Sequence, residues 1–119
     1  MSYVTAEEIK KVYEELKNVT IRHSNAMMNE IAAKTELEKL KAQALSDGTI
    51  TEIVGQRSNA ETREAALREL FAEQYQSLED VQTLVQGVRL ALDLSRINVE
   101  EVKMLMRLSE LETNVDNKS

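Results

Sequence analysis

The sequence DGTITEIVGQRSN, residues 47–59, decides the fold, because it is the place where the chain can turn sharply. It holds Gly48 and Gly55, two of the three glycines, and the chain has no proline. Since proline and glycine interrupt helices, the segments on both sides are free to form long ones. The sequence therefore predicts an all-α fold: a long, coiled-coil-like antiparallel helical hairpin with its turn at residues 47–58.

The first helix is predicted over residues 5–46. Thr5 and Glu8 have the spacing of a capping box, in which each side chain accepts a hydrogen bond from the backbone N–H of the other residue. Beyond this start, a stripe of mostly apolar residues recurs at alternating intervals of three and four, which is typical of a helix packed along other helices. The stripe consists of Ile9, Val12, Leu16, Val19, His23, Ala26, Ala33, Leu37, Leu40 and Ala44.

One section of this helix, residues 22–30, is more polar than the rest, and His23 and Glu30 fall on the stripe. Two interpretations remain open. The section is either a partly polar or uncovered layer of the packed helices, or a pocket for a ligand or partner.

The second helix is predicted over residues 59–112, with Asn59 as its N-cap and a frayed tail over residues 113–119. A further capping pattern begins at Asn98, so a kink near residues 95–98 is the alternative to a continuous helix. The stripe that faces the first helix is Leu67, Phe71, Gln74, Leu78, Val81, Val85, Val88 and Leu92.

The C-terminal half of the second helix is apolar on several sides, and such a helix is buried on several sides. One partner helix cannot cover it, and a lone hairpin buries little surface. We therefore predict that copies of the chain associate into a bundle. The predicted interface is Leu84, Val88, Leu90, Ala91, Leu94, Ile97, Val99, Val102 and Leu105.

Three small residues, Gly87, Ala91 and Ser95, follow one another at intervals of four. They predict that another helix backbone approaches closely at Gly87, since glycine permits such an approach. The alternative is that Gly87 is merely tolerated in the helix.

Two surfaces are candidates for a different protein partner. Ile50, Ile53 and Val54 lie in the turn, where we expect an irregular loop, and they either pack on the helix ends or form a contact surface. The second helix carries an acidic face opposite its stripe, which is either solvated or an acidic docking surface. This face consists of Glu69, Glu73 and Asp80.

The composition argues against several function classes. A formal net charge of −6 does not suit a general nucleic-acid binder or a protein that adheres to anionic lipid. The chain has no cysteine and a single histidine, His23, so the usual zinc and thiolate sites are missing. The arginines near the turn alternate with glutamates, and Glu64 and Arg68 have the spacing of a surface ion pair. We predict no cofactor, no metal and no enzymatic activity.

The sequence also predicts a soluble, cytoplasmic protein. No apolar run approaches the ~18 residues of a membrane span. The first residues, MSYVTAEE, lack the basic and apolar regions of a secretory signal.

A motif around the turn resembles a pattern found in small phage and prophage proteins, which are helical and mostly without assigned function. The resemblance covers residues 47–64, through Asp47-Gly48-Thr-Ile50 and the segment Gly55-Gln-Arg-Ser-Asn59-Ala-Glu-Thr-Arg63-Glu64. It implies a phage accessory protein and supplies no catalytic residues. Within the motif, Gly48 and Gly55 are expected to provide turn conformations, Asn59 a helix cap, and Arg63 a partner for Asp47.

We therefore expect a non-catalytic protein that associates with itself and with a host or phage protein, as an adaptor or inhibitor. A self-assembling scaffold or assembly chaperone is the second hypothesis. Nucleic-acid binding in a groove formed by an oligomer is the third.

Overall fold

The computed structural model describes residues 3–118, and the side chains of residues 3–115. Throughout this range the chain is an all-α helical hairpin without strands, as predicted. It divides into two compact units. The first comprises the described residues up to Asn25 and from Gln86 onward, and the second is Ala26–Val85. The helices are α1 (Ala6–Ser46), α2 (Thr49–Val54), α3 (Ala60–Leu70) and α4 (Ala72–Lys118).

The capping box confirms the predicted start of α1. The backbone N–H of Glu8 donates to Thr5 Oγ1 at 3.1 Å, and the backbone N–H of Thr5 donates to Glu8 Oε2 at 3.1 Å. These two bonds satisfy donors that the first turn of a helix cannot pair internally. The end of α1 at Ser46 also lies where the sequence predicts it.

In the first unit, α4 runs antiparallel to α1. Val19 of α1 is buried against Val88 and Leu92 of α4. At the other end of the unit, the backbone N–H of Tyr3 donates to Ser109 Oγ at 2.9 Å, and Tyr3 OH donates to Glu112 Oε1. Within this unit, the buried residues of α4 alternate at intervals of four and three and form what we call the seam: Val88, Leu92, Ser95, Val99 and Val102.

In the second unit, the turn is a short helix rather than the irregular loop that was predicted. Ile50 of α2 is 1% exposed and packs with Ala44 of α1 and with Leu67 of α3. Gly48 has φ 83°, which turns the chain from α1 into α2. Because the buried Ile50 holds the segment in place, its β-type composition does not decide its structure.

Asp47 stabilises the start of α2. Its Oδ1 accepts hydrogen bonds from the backbone N–H of Thr49 at 3.0 Å and from Thr49 Oγ1 at 2.6 Å. Both bonds favour the ionised carboxylate and lower the pKa of Asp47, the side-chain bond having the larger effect. The predicted Arg63–Asp47 pair is wrong, because Arg63 Nη1 donates instead to the carbonyl oxygen of Ser58 at 2.9 Å.

The predicted second helix is interrupted at Phe71 and not near residues 95–98. Asn59 is the N-cap of α3, as predicted, and its Oδ1 accepts from the backbone N–H of Thr62 at 2.8 Å. Phe71 leaves helical geometry with ψ 35°, although its N–H still donates to the carbonyl oxygen of Leu67 at 2.9 Å. The distortion accompanies the packing of Phe71 against the Ile50 cluster.

Residues 95–98 are continuous helix, the arrangement to which a kink is the alternative in the sequence, and residues 113–118, where a frayed tail is predicted, are helical as well. Helix α4 continues without a break from Ala72 to Lys118, and Ser119 lies outside the described residues.

The predicted close approach at Gly87 is not made by any helix described in this chain. A Cβ atom added to this residue would meet no atom within 4 Å, so the position is open. Gly87 is therefore an exposed glycine in the interior of a helix.

We predict that Gly87→Ala raises the free energy of unfolding by about 1 kcal/mol, because alanine loses less backbone freedom in a helix than glycine. The matched control is Gly48→Ala, which lowers stability because alanine is strained at φ 83°. Urea unfolding followed by circular dichroism measures both. A destabilising Gly87→Ala would show that a neighbouring chain occupies the space beside Gly87.

Candidate protein interaction surface

Helix α4 carries a second apolar stripe, which lies in the first unit and is exposed. Its apolar side chains recur at alternating intervals of four and three, interrupted only by Glu101, and are between 44% and 66% exposed. We call it the outer stripe: Leu90, Leu94, Ile97, Met104, Leu108, Leu111 and Val115.

The outer stripe and the seam lie on opposite faces of α4. Each residue advances about 100° around a helix, so Leu90 and Leu92 point roughly 200° apart. Leu92 is buried against α1, whereas Leu90 is exposed. The spacing of the outer stripe is that of a coiled-coil seam, but no part of the described chain covers it.

The structure divides the predicted oligomer interface into two groups. Val88, Val99 and Val102 are buried in the chain's own seam, and Ala91 and Leu105 are half-buried, so these five are not free for a partner. The other four residues are exposed. Leu90, Leu94 and Ile97 begin the outer stripe, while Leu84 lies in the second unit.

Sequence reasoning missed four residues of the outer stripe, although the signal was present. Met104, Leu108, Leu111 and Val115 continue the intervals of four and three that start at Leu90. The apolar residues of the C-terminal half form two interleaved stripes, the seam and the outer stripe, and not one broad apolar surface.

The tip residues do not form a common contact surface. Ile50 is buried, Val54 is half-buried against the same cluster, and Ile53 is 57% exposed. Ile50 therefore belongs to the core of the second unit, and its assignment to a partner surface is wrong. Next to the tip, an open concavity is lined by Val54, Gly55, Gln56, Arg57, Ser58, Asn59 and Thr62.

A polar cluster joins α1, α3 and α4 in the second unit. Tyr75 OH donates to Glu64 Oε1 at 3.0 Å, and Lys41 Nζ lies 3.7 Å from Glu64 Oε2. The Tyr75 ring lies 4.9 Å from Arg68 Cζ and 5.7 Å from Lys41 Nζ, within cation–π distance. The predicted Glu64–Arg68 ion pair is present, with Nε and Oε1 at 3.6 Å. Because these groups pair with one another, the cluster serves to hold the three helices together.

The acidic candidates Glu69, Glu73 and Asp80 are exposed, as a solvated face requires. Among the residues with described side chains, no lysine or arginine pairs with them, and Asp80 Oδ1 accepts a hydrogen bond from Gln76 Nε2 at 2.9 Å. An acidic docking surface at these residues stays a prediction.

A groove of about 310 Å³ in the first unit lies beside the seam. Ser95 lines it, and Ser95 Oγ is buried without a hydrogen-bond partner, as is His23 Nε2 elsewhere in the unit. The groove has room for several water molecules, since each occupies about 30 Å³. Its other lining residues are Glu8, Lys11, Val12, Glu15 and Asn98.

Among the side chains of residues 3–115, no group of three or more histidines, aspartates or glutamates is arranged to hold a metal ion. In the same range, no helix has both the length and the apolar character needed to cross a lipid bilayer.

Comparisons with protein-family models, with curated proteins and with solved structures return no significant match to this chain. The resemblance of residues 47–64 to phage proteins therefore stays a prediction, and the case for function depends on the surfaces described above.

We predict that substitution by aspartate lowers stability strongly at one isoleucine of α2 and hardly at all at the other. Ile50→Asp buries an unpaired carboxylate and removes a core side chain, which costs about 3–5 kcal/mol of the free energy of unfolding. Ile53→Asp changes it by less than about 0.5 kcal/mol, because the side chain is exposed. Urea unfolding measures both variants, and equal effects would contradict the burial of Ile50.

Proposed function

We propose that this chain is a non-catalytic interaction protein that binds an amphipathic helix along the outer stripe of α4. The observation that supports this most directly is the alternating spacing of seven exposed apolar side chains on the face opposite the seam. Exposed apolar patches of this extent mark interaction sites in soluble proteins.

The energetics favour coverage of the outer stripe by a partner. Full burial of a large aliphatic side chain is worth about 1.5–3 kcal/mol, so burial of the exposed half of seven such side chains contributes roughly 7 kcal/mol from this chain. Association costs about 4–15 kcal/mol. A partner helix that brings an apolar stripe of its own roughly doubles the gain and makes binding favourable.

The spacing also defines the chemistry of the partner. Side chains at intervals of three and four fit between those of a helix with the same intervals, as in a left-handed coiled coil. The partner segment is therefore an amphipathic helix with an apolar stripe of comparable length. The partner residue beside Glu101, which interrupts the outer stripe, has to leave the carboxylate access to water.

The wider role remains part of the proposal. An adaptor or inhibitor of a host or phage protein and a self-assembling scaffold both use helix-to-helix contact, and the outer stripe supports either. The phage setting rests only on the motif at residues 47–64. An apolar binding surface and a net charge of −6 do not favour nucleic acid as the partner.

Photo-cross-linking in cells that produce the protein tests this proposal. We expect p-benzoylphenylalanine in place of Leu94 to form one discrete protein adduct, because the stripe is covered by a partner helix. Ile97→Gln in the same chain lowers the adduct yield, since it weakens the neighbouring contact.

The matched control places the same photo-reactive residue at Ile21, an α1 side chain of similar exposure in the same unit. We expect no discrete adduct from that position. Equal yields from Leu94 and Ile21, or no adduct from Leu94, would contradict the proposal.

A further inference from the structure

We infer that the helix covering the outer stripe is the α4 helix of a second copy of this chain, lying antiparallel to the first. This inference rests on the proposed function, because it names the occupant of the same surface. The argument uses the order of residues along the outer stripe and the charges beside it.

The outer stripe is complementary to itself when two copies run in opposite directions. In a register centred between Glu101 and Met104, Leu94 lies opposite Leu111 of the second copy, and Ile97 lies opposite Leu108 of the second copy. Leu90 then lies opposite Val115 of the second copy. Every apolar residue from Leu90 to Val115 except Met104 meets an apolar residue, and Met104 lies beside Glu101. The flexible methionine side chain allows the glutamate to reach water along the edge of the interface.

The charges beside the outer stripe favour this register. Glu100 and Arg107 are seven positions apart, so they lie on the same edge of the helix, each adjacent to a stripe residue. In the antiparallel register, Glu100 of each copy lies next to Arg107 of the other, which gives two symmetric ion pairs. The Glu100 side chain is 72% exposed, and among the described side chains it pairs only with Lys103, at 3.2 Å. Arg107 makes no ion pair with any side chain described in its own chain.

The parallel alternative is less favourable because of Glu101. In a parallel pair in register, Glu101 of one copy meets Glu101 of the other inside the apolar contact. Two facing carboxylates in a partly buried site repel each other. The antiparallel arrangement separates them.

This arrangement also closes the assembly. A two-fold axis uses the same surface of both copies, so neither copy retains an uncovered outer stripe for further growth. We therefore expect a dimer and not a filament.

Cysteine cross-linking of the full-length chain tests the orientation, and the absence of natural cysteine makes engineered thiols the only reactive ones. Tagged Leu94→Cys is mixed with untagged Leu111→Cys and treated with a bismaleimide that spans about one helix diameter, roughly 10 Å. We expect the mixed adduct to dominate. Leu94→Cys alone should give little adduct, because its two thiols lie roughly 26 Å apart, or 17 residues at 1.5 Å each.

The outcomes separate this inference from the proposed function. A dominant Leu94→Cys homodimer with little mixed adduct would indicate a parallel pair and overturn the inference. The inference would also be overturned if no adduct forms and light scattering gives the mass of a monomer at about 100 times the concentration used for cross-linking. In that case a photo-adduct from Leu94 to a different protein would leave the proposed function standing. Circular dichroism of both cysteine variants confirms that they remain helical.

A charge exchange provides an independent test in the same chain. Glu100→Arg and Arg107→Glu are each expected to weaken dimerisation about three- to tenfold, since two symmetric edge pairs are lost. The double variant restores the dimer, because the pairs re-form with the signs exchanged. Glu110→Arg, which lies outside the outer stripe, is the control for the change in net charge. Failure of the double variant to recover would contradict the register.

Discussion

A neighbouring helix can cover only one face of a helix, and α4 has two apolar faces. In the first unit α1 covers the seam, where Val88 and Leu92 pack against Val19. The outer stripe, from Leu90 to Val115, remains exposed on the opposite face. This geometrical limit explains why a well-packed hairpin still has a large apolar surface, and it is the reason to expect a partner.

The second unit meets a different constraint, because there the chain must reverse direction. The short helix α2 places Ile50 in a cluster with residues of α1 and α3, and Phe71 packs on the same cluster where α3 gives way to α4. Around it, Tyr75, Glu64, Arg68 and Lys41 satisfy one another's polar groups. Of the three turn residues Ile50, Ile53 and Val54, these contacts leave only Ile53 with an exposed side chain.

Much of this fold could be predicted from the sequence, because its signals are periodic or local. The seam as far as Leu92 follows from intervals of three and four, and the capping box at Thr5 and the cap at Asn59 follow from their local patterns. The helical turn at residues 49–54 and the interruption at Phe71 could not be predicted. Both involve the packing of side chains that are distant in sequence, and this packing overrides the β-type composition of the turn.

The sequence predicts that the C-terminal half carries an interaction surface, but it does not identify all the residues that form it. The excess of apolar residues in the C-terminal half indicated an interface. However, only the position of α1 shows which residues it already covers. Val99 and Val102 face inward for this reason, whereas Met104 and Leu108 face outward.

The central claim is that a second copy of the chain covers the outer stripe in solution. The most direct measurement is the accessibility of methyl groups to a soluble paramagnetic nitroxide, read by NMR of the full-length chain with labelled leucine and isoleucine. The account predicts that Leu94 and Ile97 methyl signals are protected at high protein concentration and become accessible on dilution, while Ile21 is accessible throughout. Full accessibility of Leu94 and Ile97 at every concentration would contradict it.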